Sequence, residues 1–255
     1  MAAQVLLLWA LAATAQTLAW LRQRRNRNAG IVDVVWAAGV GTAAVLLGAL
    51  GGGASRPRLL LALLGGLWGW RLARHLWRRV SREGEDGRYA HLRTLWNDDQ
   101  RKWYAFFQFQ AVLIVLFAVP FLPAANAMEE PATTWQVAAI AIWSAAVAGE
   151  MLADSQLARF RADPANKGRV CRTGLWRYSR HPNYFFEWLH WFAYVALARG
   201  APLSWSGPIL MYVFLRWLSG IPHTEAQALR TRGEAYLAYQ RTTPMLFPWF
   251  PRSER

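Results

Sequence analysis

Seven long apolar runs, nearly free of charge and separated by short basic clusters, make up most of this 255-residue chain. A helix needs roughly 20 residues to cross a hydrocarbon core about 30 Å thick, and within that core each backbone N–H and C=O must be paired inside the segment. The runs therefore predict an all-α, polytopic integral membrane protein with seven transmembrane helices, at about 3–20, 30–50, 58–77, 103–123, 134–153, 183–199 and 204–220. The chain, 1–255, reads as a single membrane domain. The first run is not expected to be a cleaved signal peptide, because its arginines follow the apolar stretch instead of preceding it. Composition agrees, since 17% charged residues is well below the roughly 25% of soluble domains. A lone cysteine, Cys171, excludes an internal disulfide and a Cys-based zinc site, and the histidines lack ligand spacing, so no metal is expected.

The chain carries 29 Lys and Arg against 15 Asp and Glu, a net charge of +14. Alternate connections hold 23 of the basic residues and the remaining connections three, while Arg71, Arg74 and Arg216 fall inside predicted helices. That partition follows the positive-inside rule; it puts the N-terminus outside and the C-terminal tail in the cytosol. The charge is thus a topology signal, and nucleic acid is not an expected partner. The basic loops can instead meet the headgroups of membrane lipids. In the tail, Thr224 and Gln227 have capping-box spacing, with Leu229, Tyr236 and Tyr239 set to lie against the bundle. The aromatic segment FPWF at 247–250 is expected at the membrane interface or back against the protein.

Ionisable groups inside spanning helices are costly and mark candidate sites. Asp33, Arg71, Arg74, Glu150, Asp154, Glu187, His190 and Arg216, with the polar Gln108 and Gln110, all fall in the cytosolic half of this topology. Such a half can form a polar chamber for a charged cofactor, while the apolar half and Trp-rich walls receive a lipophilic substrate. The competing reading is that these groups pair with one another and snorkel to the headgroups. A transport path would need polar lining through both leaflets.

The densest stretch runs from Arg169 to Leu197. Arg169, Arg172, Arg177 and Arg180 are spaced to grip phosphates, and Pro182 suits the first turn of a helix whose free N–H groups also attract an anion. Asn183 and Glu187 then share a face at i and i+4, extended by His190, Trp191 and Tyr194.

The motif GLWRYSRHPNYFFEW at 174–188, with EMLADSQLARFR at 150–161 and TEAQALRTRGEAYLAYQRTTPMLFPWFP at 224–251, resembles the DUF1295 family, a branch of the steroid 5α-reductase superfamily. The resemblance covers nearly the whole chain and is strongest at about 145–250, where it implies a cofactor-binding region. It implies a seven-helix enzyme of lipid metabolism that uses NADPH to reduce a carbon–carbon double bond conjugated to a carbonyl. It also implies a bacterial inner (plasma) membrane location with the cofactor site facing the cytosol. In the resemblance, cofactor-binding residues correspond to Arg71, Asp154, Arg161, Tyr178, Arg180, His181, Asn183 and Glu187, with Arg230, Tyr236 or Tyr239 closing over from the tail. Two positions depart from the family: Phe186 stands where a Gly usually precedes the Glu, and Trp68 aligns with a Tyr. The steroid reductases' Gln-Glu pair of the second helix has no match, leaving Asp33 as that segment's acid.

The leading expectation is an NADPH-dependent oxidoreductase acting on a lipophilic enone. Arg71, Arg161, Arg172 and Arg180 hold the cofactor phosphates in this reading, and Asp33, a buried acid, is the first candidate for proton donor with His190 second. The alternatives are an S-adenosylmethionine-dependent methyltransferase of the isoprenylcysteine carboxyl methyltransferase type and a non-catalytic lipid-binding membrane protein. The sequence leaves the lipid and the oligomeric state open.

Overall fold

In the computed structural model, which describes residues 1–252, secondary structure is helical and no strand occurs among the described residues. The α-helices run α1 (Ala2–Asn26), α2 (Ile31–Leu50), α3 (Ser55–Arg82), α4 (Gly87–Leu95), α5 (Gln100–Ala118), α6 (Leu122–Asn126), α7 (Thr133–Ala162), α8 (Pro182–Leu189), α9 (Trp191–Leu197), α10 (Ser206–Val213), α11 (Ile221–Arg232) and α12 (Glu234–Thr242). Four helical runs are long and apolar enough to cross a membrane: α1, α2, the run Gln100–Asn126 that joins α5 to α6, and α7. The third predicted segment forms as α3 and extends past 58–77 at both ends. Arg71, Arg74 and His75, with its glycines and tryptophans, lower its hydropathy below that of the four.

The last two predicted segments are not single α-helices. The stretch expected at 183–199 begins at Pro182 and breaks at His190. There the imidazole Nδ1 donates to the backbone carbonyl of Glu187. In an unbroken α-helix that carbonyl would accept the N–H four residues on. The Ala193 N–H reaches back only three residues, to the His190 carbonyl at 3.0 Å. The stretch expected at 204–220 is likewise divided into a 3₁₀ turn at Pro202–Trp205, α10, and a π-helical turn at Phe214–Leu218.

Two compact units emerge among the described residues, one of 1–136 with 194–206 and one of 137–193 with 207–252. In the first, α2 and α3 meet along small residues: Ala37, Gly41, Ala44 and Gly48 on α2, and Ala62, Gly65 and Gly69 on α3. A Cβ placed on Gly69 would stand 2.5 Å from the Gly41 Cα and 2.8 Å from the Ala37 carbonyl oxygen, and one on Gly65 would collide with the Ala44 Cβ. Stripes of this kind let helices approach backbone to backbone where lipid supplies no hydrophobic drive between them. On α1, Thr17 accepts from Gln108 of α5 at 2.9 Å, and buried Gln23 donates to Gln100 at 2.8 Å. The basic connection after α3 folds back as α4, N-capped by Asp86 and held by Arg93, which ion-pairs Glu85 at 2.7 Å and also Asp98.

In the second unit, α11 starts at Ile221, with Pro222 in its first turn. The helix thus begins before Thr224, and no capping box forms. The Thr224 hydroxyl donates back to the Gly220 carbonyl at 2.9 Å instead. Gly233, at φ 49°, turns the chain from α11 into α12.

Gly69→Leu should destabilise the protein by about 1–3 kcal/mol through overpacking. Gly52→Ala should not, because a Cβ at Gly52 meets nothing within 4 Å. Thermal unfolding of the two variants in detergent checks this; equal melting temperatures would contradict the close α2–α3 contact.

Candidate functional site

The basic loop, the start of α8 and the C-terminal tail converge within the second unit on one carboxylate. Glu225 Oε1 accepts from Arg180 Nε at 2.7 Å, from His181 Nε2 at 3.2 Å and from the Tyr236 hydroxyl at 3.5 Å, and its Oε2 accepts from Gln240 Nε2 at 2.9 Å. Arg180 also donates through Nη1 to the carbonyls of Gln240 (3.0 Å) and Thr243 (2.8 Å). Ser179 completes the join by donating to Leu246 O at 2.8 Å and accepting from the His181 N–H at 3.1 Å. The Tyr239 hydroxyl bonds the carbonyl of Trp176 and that of Ser179, the latter at 3.1 Å. Arg172 reaches Ala235 O at 2.9 Å with its guanidinium over the Tyr239 ring.

The electrostatics follow from this packing. Burial pushes the Glu225 carboxyl up, but hydrogen bonds from His181 and Arg180, with the Arg180 charge, outweigh it and hold the group at about 2. Burial draws His181 below the usual imidazole range and the Glu225 hydrogen bond only partly offsets it, so the ring is neutral and donates Nε2–H. Burial, with the Glu225 charge next, raises the Tyr236 hydroxyl, and burial with the Tyr236 charge next raises Tyr239. Both tyrosines are therefore hydrogen-bond donors and not bases.

His181 is also the N-cap of α8, with Pro182 following in the first turn. That start presents Asn183 to α7, where its Nδ2 donates to Asp154 Oδ1 at 3.1 Å. Because a carboxylate only accepts, this bond fixes the amide: Asn183 Oδ1 faces the other way, buried and accepting no hydrogen bond among the described residues. Glu187 follows one turn on, and His190 holds its backbone carbonyl. Phe186 is accommodated by Gly149 of α7, where a Cβ would collide with the Phe186 ring. The bulk at 186 and the glycine at 149 thus form a complementary pair.

Of the residues expected to bind a cofactor, the second unit brings Asp154 to Asn183, and Arg180, His181, Tyr236 and Tyr239 to one network. That network occupies Arg180 with tail groups rather than leaving it as an open phosphate grip. Arg161 and Arg230 are exposed, and Tyr178 stacks edge-on against Phe250. Glu225 was missed in the sequence. Its signal was the adjacent Arg180 and His181, which need a counter-charge, but nothing local identifies an acid 44 residues away.

In the first unit, Arg71 is half-buried on α3. Asp33 is not the isolated buried acid that the sequence suggests. Its Oδ1 accepts from the Tyr89 hydroxyl at 2.7 Å and its Oδ2 from Arg88 at 3.2 Å. Burial and the Asp33 charge push the Tyr89 hydroxyl well up, so it keeps its proton. Among the described residues no group of three or more His, Cys, Asp or Glu could hold a metal ion.

The profile of the family described as "protein of unknown function (DUF1295)" matches residues 19–243. The uncharacterized protein C594.04c of Schizosaccharomyces pombe is 31% identical over 184 residues, 60% of this chain and 52% of that protein. The chain thus spans about half the length of that curated relative. No solved structure matches the chain.

Since the fold favours ionised Glu225, its contribution to stability is complete above the ordinary value of 4.5 and is lost as pH falls toward about 2. The fold also favours neutral His181, whose contribution starts to be lost as pH falls below its ordinary 6.5. Melting temperature should therefore fall on acidification across this range. Glu225→Gln should be less stable at neutral pH by about 1–3 kcal/mol and lose much of the slope below pH 5; an unchanged slope would contradict the assignment.

Proposed function

We propose, because the chain belongs to the DUF1295 family, which is commonly placed with steroid 5α-reductase-like proteins, that it is a membrane-embedded, NADPH-dependent reductase of a double bond conjugated to a carbonyl in a lipophilic substrate. In this proposal all seven apolar segments lie in the membrane, two of them as broken helices, the tail faces the cytosol, and the membrane is a bacterial plasma membrane. The observation that carries the reading is the Asp154–Asn183 hydrogen bond and the acceptor it leaves pointing away. Asn183 Oδ1 is a buried polar atom without a partner among the described residues. Such an atom costs free energy unless a donor arrives, and the carboxamide N–H of a nicotinamide is a donor of the right kind.

When bound, NADPH supplies a hydride. Asn183, through its buried Oδ1, would accept from the nicotinamide amide and so orient it. Asp154 acts through Asn183, as a positioning residue that prevents the side-chain amide from flipping. Glu187 lies one turn further along the same helix and would be the next residue to meet the cofactor. Arg161 and Arg172, on the basic loop and its approach, would hold the phosphates, while Arg180 serves to anchor the tail. Reduction also needs proton delivery to the substrate. His190 is the candidate group of the second unit, with Nδ1 bonded to the Glu187 carbonyl; Asp33, the other candidate, is held in the first unit by Arg88 and Tyr89.

The thermal stability of the detergent-purified protein with NADPH, NADP⁺, NADH or S-adenosylmethionine tests the reading. NADPH at 100 times its dissociation constant should add about 2.7 kcal/mol, and Asn183→Leu and Glu187→Gln should remove that gain while leaving a folded protein. Stabilisation by S-adenosylmethionine instead, or by none of the four, would contradict it.

A further inference from the structure

A second basic feature of the second unit is separate from the Asp154–Asn183 pair. An open cleft of about 340 Å³ is lined by Arg172, Arg177, Thr242, Thr243, Pro251 and Arg252. Three arginines thus border one space, together with two threonines. Neither Arg177 nor Arg252 has an ion-pair partner among the described residues. Arg172 is pre-positioned by its bond to Ala235 O and by the Tyr239 ring beneath it. The Arg252 N–H donates to Thr242 O at 2.8 Å, which pins the end of the tail at the threonines. Positive charge concentrated in this way calls for an anion with several acceptor oxygens, and arginine forks match phosphate.

The chain just before the cleft decides which phosphate. The Trp249 N–H donates to Tyr178 O at 3.0 Å and Phe250 packs edge-on against the Tyr178 ring, so the aromatic segment is fixed to the same loop that supplies Arg177. Trp249 and Phe250 are nevertheless each 72% exposed, and Phe247 is 49% exposed. Exposed aromatic rings beside arginines have the amphipathic character of a membrane-interface belt, and a basic patch there is drawn to anionic headgroups. A soluble anion would leave these rings in water.

We propose that this cleft binds the headgroup phosphate of an anionic phospholipid, with Trp249 and Phe250 inserted beside it at the level of the headgroups. Occupancy ties the tail to the membrane surface through Arg177 and Arg252; of the basic-loop arginines spaced to grip phosphates, Arg177 is not one of those assigned to the cofactor, and Arg172 is common to both.

The test is the melting temperature of the full chain in a neutral detergent, titrated in separate arms with short-chain phosphatidylglycerol, short-chain phosphatidylcholine, inorganic phosphate and NADPH. Phosphatidylglycerol should stabilise the protein and phosphatidylcholine should not. High salt should weaken the effect. The double variant Arg177→Gln/Arg252→Gln should lose about tenfold or more in apparent affinity for phosphatidylglycerol and keep the parent response to NADPH. A second variant, Trp249→Ser/Phe250→Ser, should weaken the phosphatidylglycerol response and not that to inorganic phosphate. Equal responses to the two lipids, or an undiminished phosphatidylglycerol response in the arginine variant, would overturn the proposal. So would stabilisation by inorganic phosphate or NADPH that the arginine variant abolishes without any preference for the anionic lipid, since the cleft would then be a site for soluble anions.

Discussion

A carboxylate held below its ordinary range, at Glu225, gathers Arg180 and His181 from the basic loop and Tyr236 and Gln240 from α12. Placing charge in a partly buried setting costs free energy that only a complete set of partners returns, and removing one partner exposes that cost. The set is complete here because Arg180 also binds two tail carbonyls and His181 contributes a neutral N–H. The same His181 caps α8, so the register of that helix depends on the network. Asn183, two residues on, is thereby brought to Asp154. The chemistry proposed for the second unit thus rests on an ion pair that takes no part in it.

The first unit obeys a different constraint. Between apolar helices in lipid, close approach replaces the hydrophobic effect. Gly41, Gly65 and Gly69 bring α2 and α3 to backbone contact, and polar side chains such as Gln23 and Gln108 are satisfied against α1 and α5. Its charged groups gather in the connection that carries α4. There Asp33 pairs with Arg88 and Tyr89, and Glu85 with Arg93.

Hydropathy and charge made the helical, membrane-type character legible in the sequence, because a long uncharged run has few other ways to satisfy its backbone. The breaks were not legible. Periodicity cannot reveal that the His190 ring takes the Glu187 carbonyl, or that a π-helical turn carries Arg216. Thr224 and Gln227 had the spacing of a cap, but Pro222 had already opened the helix. Pairings between distant segments were equally hidden: Asp33 with residues 55 and 56 positions away, Glu225 with His181 across 44. The Asp154 and Asn183 pair came from family resemblance and stands at hydrogen-bond distance in the fold. The same resemblance named Arg180 and Tyr239, whose hydrogen bonds run to tail and loop carbonyls within the second unit. Phe186, a departure from the family, finds its explanation only in three dimensions, over Gly149.

Hydride transfer is tested most directly by incubating the protein in membranes with NADPH deuterated at nicotinamide C4, each face in turn, and a panel of lipophilic enones, then locating the label by mass spectrometry. The account predicts deuterium on the carbon β to the carbonyl of one reduced lipid, delivered from one face of the cofactor and absent with the Asn183→Leu variant. No labelled product from any enone, with a methyl group transferred from labelled S-adenosylmethionine under the same conditions, would contradict it.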